Sequence, residues 1–68
     1  MSKRTEIRNV KRGDYFTLKD VDEPAESQVL VRDEFDRKAA RYVAHRFTDV
    51  NSERCFKSEQ AVYVGFTF

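Results

Sequence analysis

The chain has little of what small domains use to crosslink themselves or to build chemistry. Among 68 residues there is one Cys, one Pro, one His, two Gly and no Trp. The single Cys55 excludes an intramolecular disulfide, so the fold must stand without that crosslink. A lone thiol suits a reducing compartment. One Cys and one His cannot complete a structural zinc site within one chain. Gly13 and Gly65 stand too far apart to form a phosphate-cradling loop. No segment approaches the ~20 apolar residues of a membrane span, and "MSKRTEIRNVKRG" has no apolar run to serve as the core of a signal sequence. We expect a cytoplasmic chain with no cofactor, no metal and no membrane partner.

What is present is aromatic and charged. Six Phe and three Tyr give this short chain bulk, since each ring can bury ~150–250 Å². A domain of this size buries only about 60% of the surface its unfolded chain exposes. That leaves little room for a deep catalytic pocket beside a core, so no enzymatic activity is expected. Charged residues make up 37% of the chain yet net only +1, and they alternate in blocks. Lys3, Arg4, Arg8, Lys11, Arg12 and Lys19 dominate the start. "DVDEPAES", residues 20–27, is acidic, and Arg37, Lys38, Arg41 and Arg46 follow. Such blocks form either an ordinary solvated surface or, where the basic ones meet, a binding face.

Residues 1–9 read as a flexible or lightly docked N-terminal segment, and 10–68 as a single small β domain. Arg12-Gly13-Asp14 resembles the integrin-binding signature of adhesive extracellular proteins. With no secretion signal and no disulfide, it reads instead as a turn feeding a strand. In "YFTLK", Phe16 and Leu18 face one way and Tyr15, Thr17 and Lys19 the other. The acidic stretch with Pro24 is a loop. "QVLVRDEF" reads as a strand with Val29, Val31 and Phe35 on one face. "AVYVGFTF" reads as a strand running to Phe68, with Gly65 marking a bulge or bend.

The middle allows two readings. Phe35, Ala39, Val43 and Phe47 recur every four residues, as in a helix. Alternatively, 36–40 is a hairpin loop and "RYVAHRF" the return strand. Val43, His45 and Phe47 then face inward, and Tyr42, Ala44 and Arg46 outward. The hairpin is the better fit, because a helix would place Asp36 and Arg46 in its apolar arc. The expected core is Phe16, Leu18, Val29, Val31, Val43, Phe47, Phe56, Val62, Val64 and Phe66. The pattern of a Gly-Asp turn into a first strand, a long loop, a central hairpin, a short connection and a last strand resembles the SH3-like small barrels. It implies an all-β fold, a small barrel or strongly bent antiparallel sheet of about five strands. An OB-like barrel, or an α+β fold with a helix at about 34–47 packed on a β-meander, is the alternative.

Catalytic constellations are thin. Cys55 and His45 lack a third orienting group in the sequence, and the acids of 20–26 lack EF-hand spacing. Asp33, Glu34 and Asp36 would need a sugar-sized cleft to act as glycosidase carboxylates. Binding is the expected function. The candidate ligand face is Tyr15, Arg41, Tyr42, Arg46, Arg54 and Tyr63. A mixed-charge surface suits a protein partner, and accessory or inhibitory proteins of mobile elements are often this small. Homodimerisation through an edge strand is a further option. The alternative is DNA or RNA held on a basic, Tyr-containing face, with bases stacked on the rings. A net charge of only +1 argues against it.

Overall fold

The computed structural model describes residues 2–68 and is all-β. Strand β1 (Lys3–Glu6) pairs antiparallel with β6 (Ala61–Val64). A second antiparallel sheet runs in chain order through β2 (Tyr15–Phe16), β3 (Leu30–Asp36), β4 (Arg41–Arg46) and β5 (Asp49–Phe56). The two ladders meet at one bridge, Thr17 to Tyr63. Among the described residues they do not close into a barrel, because β1 and β5 stay unpaired on their outer edges. Among the described residues there are six strands rather than about five, and the additional one lies in the segment 1–9 expected to be flexible or lightly docked. Ile7 follows that strand, is fully buried, and donates its N–H to the Gln60 carbonyl at 2.9 Å.

Residues 34–47 are a hairpin and not a helix. The Asp36 carboxylate accepts hydrogen bonds from the Lys38 and Ala39 N–H groups at 3.0 and 3.3 Å. This side-chain competition for backbone donors is how Asp turns a chain. Ala40 completes the reversal in the left-handed region at φ 54°. Ala39, part of the four-residue spacing that suggested a helix, therefore sits in the turn with Ala40. At the other end, Gly13 adopts φ 88°, and the Asp14 N–H bonds the Lys11 carbonyl at 3.0 Å. The chain then enters β2 with Phe16 buried and Tyr15 exposed, as alternation requires.

The core consists of Ile7, Val10, Phe16, Leu30, Ala44, Phe56 and Val62, with Leu18, Tyr42 and Val64 packed against it. Phe16 and Phe56 meet edge to face, with centroids 6.1 Å apart. Val29 and Thr17 are also fully buried. The expected frame of β3 and β4 is inverted. Phe16 pairs with Leu30, and Leu30 with Arg46, so Leu30, Ala44 and Tyr42 take the inner face. Val31 and Val43 are half-buried on the outer face, and Phe47 is exposed. The cause is register: a shift of one residue exchanges the two faces of a strand, and the register is set by the non-local pairing to Phe16. His45, which was out of place facing inward, faces outward.

The last strand is shorter than expected. It ends at Val64, and Gly65 bends the chain at φ 77°. Phe66 is half-buried and Phe68 half-exposed, so neither joins the central cluster. The acidic loop is tethered. The Thr67 N–H donates to the Asp22 carbonyl at 3.0 Å, and the Ser2 N–H donates to the Asp22 carboxylate at 2.9 Å. The Ser2 hydroxyl hydrogen-bonds Asp20, and Pro24 is buried. The molecule measures 34 × 24 × 16 Å.

Candidate functional site

The six residues expected to share a ligand face do not share one. Tyr42, Arg46 and Arg54 lie on the inner face, since Tyr42 and Arg46 flank Ala44 at period two and Arg54 pairs with Ala44. Tyr15 pairs with Val31 on the outer face. Arg41 has the opposite parity to Tyr42. Its side chain reaches back to the Ala40 carbonyl at 3.5 Å. Tyr63 is half-buried on β6, in register with Arg4. The structure therefore offers two surfaces, one on each side of the meander.

On the outer face, three aromatic rings meet each other edge-on. Tyr15 and Phe47 lie 5.5 Å apart, Tyr15 and Phe68 5.6 Å, and Phe47 and Phe68 4.9 Å, with interplanar angles of 80–88°. All three remain open to solvent, at 44%, 38% and 50% exposure. Different elements bring them together. Tyr15 comes from the turn after Gly13, and Phe47 from the end of β4, where its N–H bonds the Val29 carbonyl at 2.9 Å. Phe68 comes from the segment that Thr67 ties to Asp22. Edge-to-face packing fixes the rings relative to one another. The outer face therefore presents a preformed apolar knob.

The same face carries acids. Asp33 and Glu34 stand at a bulge opposite Val43, and Glu53 pairs with His45. Together with Arg12, Val43, His45 and Val50 they line a shallow hollow of about 430 Å³. Arg12 meets Glu34 at 3.1 Å, and His45 Nδ1 meets the Asp33 carboxylate at 2.7 Å. Glu53 is left without a cation among the described residues. Cys55 faces the same side, but the His45 imidazole is engaged by Asp33 and not by the thiol. No group of three or more metal-ligating side chains converges among the described residues. No helix among them is long and apolar enough to cross a membrane.

On the inner side, a cleft of about 130 Å³ opens between the segment 17–28 and strands β3 to β5. Leu18, Val21 and Leu30 give it an apolar floor, and Lys19, Arg46 and Arg54 surround it. None of these three cations has a carboxylate partner among the described residues. Asp49, which faces Arg46 in the ladder, accepts the Asn51 N–H instead. Deeper on this face, Arg32 stacks over the Tyr42 ring at 4.7 Å, and Arg54 lies over Phe56 at 5.5 Å. The Arg54 stem covers apolar surface while its charge stays near water, whereas the Arg32 Nε is buried without a hydrogen-bond partner among the described residues.

Comparison with protein families, curated proteins and solved structures finds no match to this chain. Of the two residues that complete the aromatic knob, Phe47 was expected in the core and Phe68 at the end of the last strand. Phe47 stands in "HRFTD", between an Arg and a turn, which is the one local sign that it ends a strand on the solvent side.

Proposed function

We propose that the chain is a small, non-enzymatic protein-binding module that meets its partner through the outer face of the β2–β5 sheet. The observation that supports this most is the three-way contact of Tyr15, Phe47 and Phe68 at the surface. Exposed apolar patches rimmed by polar residues mark interaction sites, and aromatic anchors dominate interface energetics. A ring already locked against two others loses little freedom when a partner covers it. Asp33, Glu34 and Glu53 at the margin select a partner with a basic rim around an apolar centre. The same carboxylates would repel a phosphate backbone, which favours protein over DNA or RNA on this face. The element order supports the same class. A long excursion from Gly13 to Val29, a three-stranded meander and a last strand returning to the first resemble the SH3-like domains, which bind peptide segments.

The test is capture from the native host on immobilised chain, followed by reconstitution with the purified partner. Tyr15→Ser with Phe47→Ser should abolish the complex while the circular dichroism spectrum stays that of the parent. Arg46→Ala with Arg54→Ala, on the other side of the sheet, should leave it intact. A complex that survives the first pair of changes, or an oligonucleotide that binds tightly at low salt and competes with the partner, would overturn the reading.

A further inference from the structure

The inner cleft is a second, separate site, and we infer that it binds an acidic peptide segment, seating one apolar side chain between flanking carboxylates. Three features define that ligand. The first is sign. Lys19, Arg46 and Arg54 surround the cleft, and no carboxylate lines it. In a chain that nets only +1, three cations and no carboxylate around one opening are a local positive excess. Asp20, Asp22, Glu23 and Glu26 belong to the adjoining segment but do not line the opening.

The second feature is size. At about 130 Å³ the cleft is well below the ~300–1,000 Å³ of sites that enclose a drug-sized ligand or cofactor. It has room for a single side chain. The third is the lining. Leu18, Val21 and Leu30 form an apolar floor that a phosphate group cannot use. No aromatic ring lines the cleft, so a nucleic-acid base would find nothing to stack on. A Leu-sized group flanked by Asp or Glu meets both the floor and the rim, and Arg can take a carboxylate through two parallel N–H bonds.

The wall formed by 18–28 is held before any ligand arrives. The Thr17 hydroxyl donates to the Lys19 carbonyl at 2.8 Å, and the Ala25 N–H donates to the Gln28 side chain at 2.9 Å. Pro24 is buried, and Asp22 is tied to Thr67 and Ser2. A wall fixed in this way reduces the ordering cost of binding. The cleft opens on the face opposite the Tyr15–Phe47–Phe68 knob, so the two sites can be occupied independently.

The probe is a capped five-residue peptide with one Leu between two pairs of Glu, titrated into isotopically labelled chain. Saturable shifts should appear at Lys19, Leu30, Arg46 and Arg54. Affinity should fall about tenfold or more, ~1.4 kcal/mol, in Arg46→Ala, in Arg54→Ala, or when Gln replaces the peptide's Leu. It should also fall as salt screens the rim. Lys19→Glu, in an exposed loop position, provides a charge reversal with minimal risk to folding. Tyr15→Ser with Phe47→Ser should leave peptide binding unchanged, so failure of this site and failure of the outer-face reading are distinguishable. The inference is overturned by any of three results: no saturable shift up to about 1 mM peptide, equal binding of the Gln peptide, or tighter binding of inorganic phosphate or an oligonucleotide at the same residues.

Discussion

Thr17 and Tyr63 exchange both of their backbone hydrogen bonds, at 3.0 and 2.9 Å, and this bridge joins the β1–β6 ladder to the four-stranded sheet. Thr17 is the one fully buried polar residue among the described residues, and its hydroxyl is spent on the Lys19 carbonyl. Thr17→Val keeps the shape and removes that bond. It should cost about 1 kcal/mol, the usual net worth of a hydrogen bond. Urea unfolding gives the value. A Val variant as stable as the parent would show that the junction rests on the backbone bridge alone.

The inverted frame of β4 has a direct energetic consequence. Ala44 is fully buried between Arg32 and Arg54 in the ladder, whereas Val43 is half-buried on the outer face. Ala44→Leu must push into a filled space and should cost ~1–3 kcal/mol. Val43→Ala should cost less than about 1 kcal/mol, since only part of its surface is removed from water. The opposite order of the two effects would restore the frame in which Val43 points inward.

That frame marks the limit of what the sequence makes legible. Tyr15 and Phe16 could be assigned to opposite faces because Gly13 and Asp14 locate the turn immediately before them. The hairpin at 36–40 could be placed because Asp36 and Arg46 oppose a helical face. Within "RYVAHRF", however, Tyr42 and Ala44 alternate with Val43 and Phe47, so both faces carry apolar groups. The choice is made by register to Phe16 and Leu30, which lie far away in sequence. Arg32 and Arg54 add to the ambiguity, because long cationic side chains cover a core edge that hydropathy reads as solvent. The expected ligand face inherited the same error, mixing Tyr15 with Arg46 across the sheet. The strand at "KRTE" carries no apolar residue at all and is created by its pairing with β6.

The N-terminal segment is correspondingly costly to disturb. Ile7 is fully buried among Val10, Phe16 and Val62. Ile7→Ala should cost ~2–5 kcal/mol. A chain of this length has ~3–10 kcal/mol in total, at ~0.05–0.15 kcal/mol per residue. The variant should therefore be largely unfolded or melt far below the parent in a thermal scan. A parent-like melting curve would mean that β1 and its following turn are dispensable.

Ala40 offers the reverse, a stabilising change. It holds φ 54° at the end of the β3–β4 turn, a conformation that costs an L-residue ~1–2 kcal/mol. Gly adopts it freely but loses ~0.5–1 kcal/mol to the greater freedom of the unfolded chain. Ala40→Gly should gain up to ~1 kcal/mol, or several degrees in Tm for a domain of this size. Loss of stability would show that the turn tolerates Ala for reasons other than backbone angle.

Phe16 and Phe47 separate folding from binding most cleanly. Phe16 is fully buried against Phe56, and Phe16→Ala should cost ~3–5 kcal/mol, most of what the domain has. Phe47 contributes edge contacts to Tyr15 and Phe68 but is already 38% exposed. Its replacement by Ala should cost ~1–3 kcal/mol, the range of two aromatic pairs, and leave a cooperative unfolding transition. The partner complex should nonetheless be lost, because the knob loses one of its three apolar anchors and Tyr15 and Phe68 keep only their contact with each other. A Phe47→Ala chain that unfolds like Phe16→Ala would assign the ring to the core. One that binds its partner like the parent would move the binding surface elsewhere on the molecule.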